Sequence, residues 1–159
     1  MKRVATIVVL GVLMLVLAAG VALAVLEVGN DNPNTLRGTS GDNKGQDTLF
    51  GLGAGDTLIG RSAADQLAGG PGPDRLEGND GNDTLDGGIG QDRIFTGAGF
   101  DFVYARDGDR DHINCHGQTN YRIIFDANLD DIEGCPGANT NARSGAIVSR
   151  SSGAALSVE

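Results

Sequence analysis

Aspartate recurs at every ninth residue through the middle of this chain, and glycine surrounds it. Reading from Asp42 in blocks of nine gives DNKGQDTLF, GLGAGDTLI, GRSAADQLA, GGPGPDRLE, GNDGNDTLD, GGIGQDRIF and TGAGFDFVY. The sixth place of every block is aspartate, at Asp47, Asp56, Asp65, Asp74, Asp83, Asp92 and Asp101. Carboxylates and glycine-loop carbonyls form an all-oxygen ligand set in flexible loops, which suits calcium better than magnesium or a sulfur-seeking metal. The chemistry indicated is therefore the binding of calcium.

The same blocks predict the elements that position these aspartates. The eighth place is always aliphatic, at Leu49, Leu58, Leu67, Leu76, Leu85, Ile94 and Val103. Glycine and aspartate at the earlier places favour tight turns, so we expect a turn over the first six residues and a three-residue strand after it. Two blocks complete one coil, and the chain winds as a narrow solenoid with two parallel sheets and turns along both edges. A degenerate copy, GNDNPNTLR at 29–37, carries Asn34 in the sixth place.

Stacking the coils creates two files of like charge. One edge is expected to carry Asp47, Asp65, Asp83 and Asp101, and the other Asp56, Asp74 and Asp92. Carboxylates about 5 Å apart repel by roughly 0.8 kcal/mol even at the dielectric constant of water, so a cation must lie between them. One inward aliphatic residue in nine makes a thin core, and we therefore expect the array to fold when it binds the cation.

Two blocks carry a specific resemblance. GGIGQDRIF and GGPGPDRLE resemble the GGxGxDxUx nonapeptide of the RTX, or hemolysin-type, calcium-binding repeat family. The resemblance implies an all-β parallel β-roll in which each calcium ion lies between two loops adjacent on the same edge. Each ion is then held by two sixth-place carboxylates and by carbonyls of the second and fourth places. The implied pairs are Asp47–Asp65, Asp65–Asp83, Asp83–Asp101, Asp56–Asp74 and Asp74–Asp92.

The carbonyl donors implied by the resemblance are Gly70, Gly72, Asn79, Gly81, Gly88, Gly90, Gly97 and Gly99. Earlier blocks depart from the pattern, because Leu52, Ala54, Arg61 and Ala63 stand where small flexible residues are wanted. We therefore expect the sites built on Asp74, Asp83 and Asp92 to be the best formed. Asp42, Asp80 and Asp86 are interpreted as solvated turn residues.

The N-terminus predicts export. Lys2 and Arg3 precede an uncharged apolar run over residues 4–26, and Ala22-Leu23-Ala24 fits a cleavage site before Val25. The first interpretation is a signal peptide over 1–24, and the alternative is an uncleaved membrane anchor to about residue 26. Either places the rest of the chain outside the cytoplasm, secreted or on the outer face of the membrane. The net charge of −9 disfavours nucleic acid as a partner, and membrane contact is expected only through an uncleaved anchor.

The repeat pattern fades after residue 104. An even cysteine count in an exported chain predicts a disulfide between Cys115 and Cys135, and the alternative is a zinc site that adds His112 and His116. The segments DRDHINC and FDANLDDIEGC also resemble the cysteine-containing end of many exported RTX-type proteins, which supports the disulfide. We predict a roll over 29–104, a C-terminal cap over 105–135 and a disordered tail over 136–159. In the cap, Asp126, Asp130 and Asp131 are interpreted as surface acids, and the alternative is that they extend the calcium ladder.

We do not expect an enzyme. The two histidines lie close together in the cap, and no serine or cysteine has a plausible base with an orienting partner. The function predicted is calcium binding by an exported structural or adhesive module. A calcium-sequestering protein and a metal-independent surface-binding solenoid remain as alternatives, and the sequence indicates no macromolecular partner.

Overall fold

The secondary structure of the chain is entirely β within the described residues. The computed structural model describes residues 24–40, 45–126 and 129–136, and the backbone of 147–150. Its strands are β1 Leu26–Asn30, β2 Thr35–Arg37, β3 Thr48–Leu52, β4 Thr57–Ser62, β5 Gln66–Pro71, β6 Arg75–Asp80, β7 Thr84–Ile89, β8 Arg93–Ala98, β9 Asp101–Ala105, β10 His112–Asn114, β11 Tyr121–Phe125, β12 Asp131–Glu133 and β13 Ile147–Arg150. No helix in this part of the chain is long and apolar enough to cross a membrane. The predicted signal segment up to residue 23, and Asp42, lie outside the described residues.

Successive strands alternate between two sheets. The odd-numbered strands form a seven-stranded sheet in the order β1-β3-β5-β7-β9-β11-β13, and the even-numbered strands form a six-stranded sheet in the order β12-β10-β8-β6-β4-β2. All pairings are parallel except the antiparallel pair of β11 and β13. Leu67 pairs with Leu85 in one sheet and Leu58 with Leu76 in the other, so each residue stacks on the residue 18 positions later. The predicted parallel two-sheet roll with two blocks per coil is confirmed.

The strands of the array, β3 to β9, are longer than the three residues predicted. β4 covers the last three places of one block and continues through the first three places of the next, where Arg61 pairs with Asn79 and Ser62 with Asp80. The backbone of the first three places therefore still takes part in the sheet, and the tight turn is confined to the end of the six-residue segment. The sequence pattern missed this because those places carry few of the β-branched and aromatic residues that mark a strand.

The core is a double file of aliphatic side chains between the sheets. All seven eighth-place residues are at most 2 % exposed, as predicted. The file continues past the recognisable blocks through Ile113 and Ile123, each fully buried, and Leu36 extends it at the other end. In β1 this inward place holds Glu27, whose Oε2 accepts the backbone N–H of Arg37 at 2.8 Å.

The segment predicted as a cap continues both sheets through β10, β11 and β12. Tyr121 and Phe125 are buried at this end. A disulfide joins Cys115 to Cys135 with their Cα atoms 4.9 Å apart, so the prediction of a disulfide is confirmed and the zinc alternative is wrong. Within the segment predicted to be disordered, β13 pairs with β11, and residues 137–146 and 151–159 lie outside the described part.

Candidate metal centre

The sixth-place aspartates form two hydrogen-bonded ladders, one along each edge of the roll. The Oδ1 atom of each accepts the backbone N–H of the sixth-place residue one coil earlier, with N···O distances of 2.7 to 3.0 Å within the array. All seven side chains are at most 2 % exposed. The two files are those expected from the block arithmetic, although the side chains are buried inside the turns rather than displayed on them.

In most of these aspartates the second carboxylate oxygen, Oδ2, has no hydrogen-bond donor among the described residues. Oδ2 is buried and unpartnered in Asp56, Asp65, Asp74, Asp83 and Asp92. A buried polar atom without a partner costs about 1–3 kcal/mol, and more when it is charged. Asp47 differs, because its Oδ2 accepts the hydroxyl of Thr39 at 3.0 Å. The repeated orphan oxygen indicates that a cationic group belongs beside it.

The first-place glycines make room for these carboxylates. A Cβ added to Gly69 would collide with Oδ2 of Asp74, and the same holds for Gly87 and Asp92. From Asp56 to Asp92, each aspartate therefore folds back over the glycine that opens its own block, where an added Cβ would occupy the position of the carboxylate. Thr96 opens the block of Asp101 instead.

Carbonyl oxygens line the gaps between stacked loops from both sides. From the second block onwards, the second- and fourth-place residues have positive φ, including the non-glycine residues Leu52, Ala54, Arg61, Ala63 and Asn79. In this conformation their carbonyls point towards the next coil, so an added Cβ at Gly88 would meet the oxygen of Gly70 and one at Gly90 would meet the oxygen of Gly72. First-place carbonyls point the other way, since a Cβ at Gly51 would meet the oxygen of Gly69. Both rims of each gap thus present oxygen.

The residues that depart from the motif keep the loop geometry, and their backbone is strained. Arg61 has φ of 80° and Ala63 has φ of 104°, in a region that costs an L-residue roughly 1–2 kcal/mol. From their residue types, these departures are expected to weaken their sites. The structure shows that they adopt the glycine conformation instead, so the departure acts through backbone strain rather than through a different loop.

Burial shifts the titration of the ladders. Desolvation, with a smaller contribution from neighbouring carboxylates, raises the pKa of Asp65 and Asp74 to about 6 and that of Asp83 and Asp92 to about 7. For Asp101, burial raises the pKa to about 6. The hydrogen bonds from backbone N–H groups oppose this shift without cancelling it. Near neutral pH, Asp83 and Asp92 are therefore only partly ionised unless a cation offsets the desolvation.

The edge that carries Asp56, Asp74 and Asp92, called the even edge below, contains two ladder members that the blocks of nine did not include. Oδ1 of Asp111 accepts the N–H of Asp92 at 2.8 Å, and Oδ1 of Asp130 accepts the N–H of Asp111 at 3.0 Å. The interpretation of Asp130 as a surface acid is wrong, because both its oxygens accept backbone hydrogen bonds. A signal was present, since each of the two aspartates is followed two places later by an inward isoleucine, in DHI and DDI. Asp131 is an exposed surface acid, paired with Arg110, as expected.

The ladder on the other edge, called the odd edge below, ends at Asp101. Tyr121 stacks on Asp101 in the place where the next aspartate would stand, and its hydroxyl donates to the carbonyl of Pro136 at 2.9 Å. The backbone N–H of Asp101 donates to the carbonyl of Asn120 rather than to a carboxylate. The interpretation of Asp80 and Asp86 as solvated residues agrees with their exposed side chains.

Comparison with known families identifies the array. The model of the RTX calcium-binding nonapeptide repeat matches four times, at residues 43–76, 59–94, 68–103 and 86–109. The array is therefore similar to RTX calcium-binding nonapeptide repeats. The matches span the ladders from the first full block to the loop after β9, and the RTX repeats together with the roll fit a calcium-binding structural module. No curated protein and no solved structure shows significant similarity to the chain.

Proposed function

We propose that this chain is an exported calcium-binding structural module whose β-roll folds when calcium ions enter the gaps between stacked loops. Five gaps are flanked by successive array aspartates, three on the edge of Asp83 and two on the edge of Asp74. The observation that supports this most strongly is the buried, unpartnered Oδ2 atom repeated from loop to loop.

The donor set favours calcium over other metals. Within the described residues, no three His, Cys, Asp or Glu side chains converge on one point, so an ion in a gap must draw most of its ligands from backbone carbonyls. Calcium accepts six to eight oxygen ligands in flexible geometry, whereas magnesium demands a strict octahedron and retains its waters. Sulfur is excluded from the set because both cysteines are joined in the disulfide.

Coupling of folding to binding follows from the same atoms. Each coil brings two carboxylates into burial, and their ionised form is destabilised there, as the raised pKa of Asp83 indicates. A cation between the loops offsets this cost only in the folded roll, because the unfolded chain does not hold the two carboxylates and the carbonyls together. Binding energy then becomes folding energy.

The surroundings of the ladders support a structural role outside the cytoplasm. The disulfide is typical of an oxidising compartment. The outward seventh-place row of the odd sheet reads Thr48, Gln66, Thr84, Phe102, and such an irregular row disfavours recognition of a repetitive surface. A carboxylate that ligates calcium is not free to shuttle protons, so the ladders are unsuited to catalysis.

A titration of the far-UV circular dichroism of the chain tests the proposal. We expect conversion from coil to β at about 10⁻⁴ to 10⁻³ M calcium, as suits extracellular modules, with reversal by chelator and no equivalent effect of magnesium. The variant Asp83→Asn should need more calcium, whereas Asp109→Asn, an exposed residue outside the array, should titrate as the parent does. A β spectrum that is indifferent to calcium would overturn the proposal.

A further inference from the structure

The loop after β9 joins the even-edge ladder without following the nonapeptide. Asp111 stands 19 rather than 18 residues after Asp92, because residues 105–111 contain one residue more than the corresponding part of a block. The ladder bond is nevertheless kept, with Oδ1 of Asp111 accepting the N–H of Asp92 at 2.8 Å. The carboxylate of Asp111 therefore lies in the gap between its own loop and the loop of Asp92.

The second oxygen of Asp111 is in the same situation as those of the array. The residue is 1 % exposed, and its Oδ2 accepts no hydrogen bond from the described residues. This orphan oxygen marks a further place where a cation belongs.

The extra residue opens this gap at the fourth place. Within the array a Cβ at Gly90 would collide with the oxygen of Gly72, whereas a Cβ at Gly108, one coil further, would meet no heavy atom within 4 Å. The carbonyl of Gly90 is thus not covered by the coil that follows it, and it remains accessible to an ion.

A third carboxylate replaces a backbone acceptor at the rim. In the array the fourth-place N–H donates to a third-place carbonyl, as Gly72 does to Ile89. At this gap the N–H of Gly90 donates instead to Oδ2 of Asp107 at 2.8 Å. Asp107 therefore brings a carboxylate to the rim of this gap, beside those of Asp92 and Asp111.

From this geometry we infer a sixth calcium site between the loops of Asp92 and Asp111, beyond the nonapeptide array. Asp92 and Asp111 supply the carboxylates, Gly88 and Gly90 supply carbonyls, and Asp107 adds charge at the rim. This inference rests on the proposed calcium binding of the array. The charge of Asp107 at the rim is expected to strengthen calcium binding in this gap.

Counting bound calcium by native mass spectrometry of the full chain and two variants tests the site. At saturating calcium, Asp111→Asn should bind one ion fewer than the parent, and Asp109→Asn should bind the same number. Asp109 is the matched control because it is two residues away, exposed and subject to the same loss of charge. Equal ion numbers in Asp111→Asn and the parent would overturn the site. A parent chain that binds no calcium would overturn the proposed function itself, so the two failures are distinguishable.

A milder variant keeps the test decisive should Asp111→Asn lose several ions through unfolding. Asp107→Asn retains one oxygen that can accept the N–H of Gly90, and it removes the charge together with the acceptor for the N–H of Asp109. We expect its calorimetric titration to show one site weakened by on the order of tenfold, with the other sites unchanged. A titration identical to that of the parent would count against the site.

Discussion

Oδ1 of Asp83 accepts a hydrogen bond from the backbone N–H of Asp65 at 2.8 Å, while Oδ2 of Asp83 has no partner among the described residues. One carboxylate thus joins two coils through one oxygen and leaves the other for a cation. Asp83 is also joined to the next coil, because its own backbone N–H donates to Oδ1 of Asp101 at 3.0 Å. It is therefore a member of two successive gaps.

This sharing predicts unequal losses when single aspartates are removed. Asp83→Asn should reduce the number of bound calcium ions by two, because two gaps lose a carboxylate. Asp101→Asn should reduce it by one, since Tyr121 rather than an aspartate follows Asp101 on that edge. Native mass spectrometry at saturating calcium counts the ions, and Asp86→Asn is the control with no expected loss. Equal losses from Asp83→Asn and Asp101→Asn would contradict the sharing of carboxylates between gaps.

The close approach of carbonyls can be separated from backbone strain by two glycine substitutions. Gly88 and Gly108 have nearly the same φ, 92° and 94°, but only at Gly88 would a Cβ collide with the carbonyl oxygen of the coil below. Gly108→Ala should lower the free energy of unfolding by about 1 kcal/mol, the cost of the left-handed conformation. Gly88→Ala should lower it by at least twice that amount and weaken calcium binding beside Asp92. Denaturant unfolding in saturating calcium measures both, and equal effects would show that the collision is unimportant.

The strained residues of the early coils should be improvable. Ala63 has φ of 104°, so Ala63→Gly should raise the free energy of unfolding by about 1 kcal/mol. The same chemical change at Ala68, in β5 without positive φ, should lower it by about 0.5–1 kcal/mol, because glycine loses more conformational entropy on folding. Thermal unfolding in saturating calcium compares the two variants. A decrease at both positions would mean that the strain at Ala63 is absent in solution.

Acid should partly replace calcium. Burial raises the pKa of the ladder aspartates from 3.8 to about 6 for Asp65 and about 7 for Asp92. For an acid with a raised pKa, the stabilisation of the folded state is complete below the unfolded pKa and is lost as pH rises through the folded pKa. In chelator, the β content should therefore increase as the pH falls from 8 to about 5, whereas calcium affinity should decrease over the same range.

Circular dichroism in chelator and calorimetric titrations at several pH values measure these opposite trends. Calcium binding near pH 6 should also release protons, which the dependence of the binding heat on the buffer reveals. A β content that falls on acidification in chelator would show that the aspartates are not desolvated in the metal-free chain.

The roll could be predicted from the sequence because aspartate and aliphatic residues recur at a fixed spacing of nine. Sixth-place aspartate and eighth-place aliphatic residues repeat without an insertion from Asp47 to Val103, and Leu76 and Ile94 are buried where that register places them. The length of the strands was not predictable from the same pattern. The places that extend each strand hold glycine and polar residues, and their β conformation comes from pairing with the neighbouring coil rather than from their own propensity.

The nine-residue spacing also did not predict where the ladders end. One inserted residue before Asp111 breaks the count of nine, although the stacking of Asp111 on Asp92 tolerates it. At the other end, Glu27 occupies an inward place that the pattern reserves for an aliphatic residue, and its Oε2 accepts the backbone N–H of Arg37. Both cases depend on contacts beyond one block, which a pattern within one block does not contain.

Crystals grown with calcium would place the ions directly through their anomalous scattering. We expect anomalous peaks in two files. Each peak should lie between successive sixth-place aspartates, such as Asp65 and Asp83 or Asp74 and Asp92. Its distance to the carboxylate and carbonyl oxygens should be about 2.3–2.6 Å. Gaps without anomalous peaks, or peaks confined to exposed carboxylates such as Asp86, would contradict the claim that calcium joins the coils of this roll.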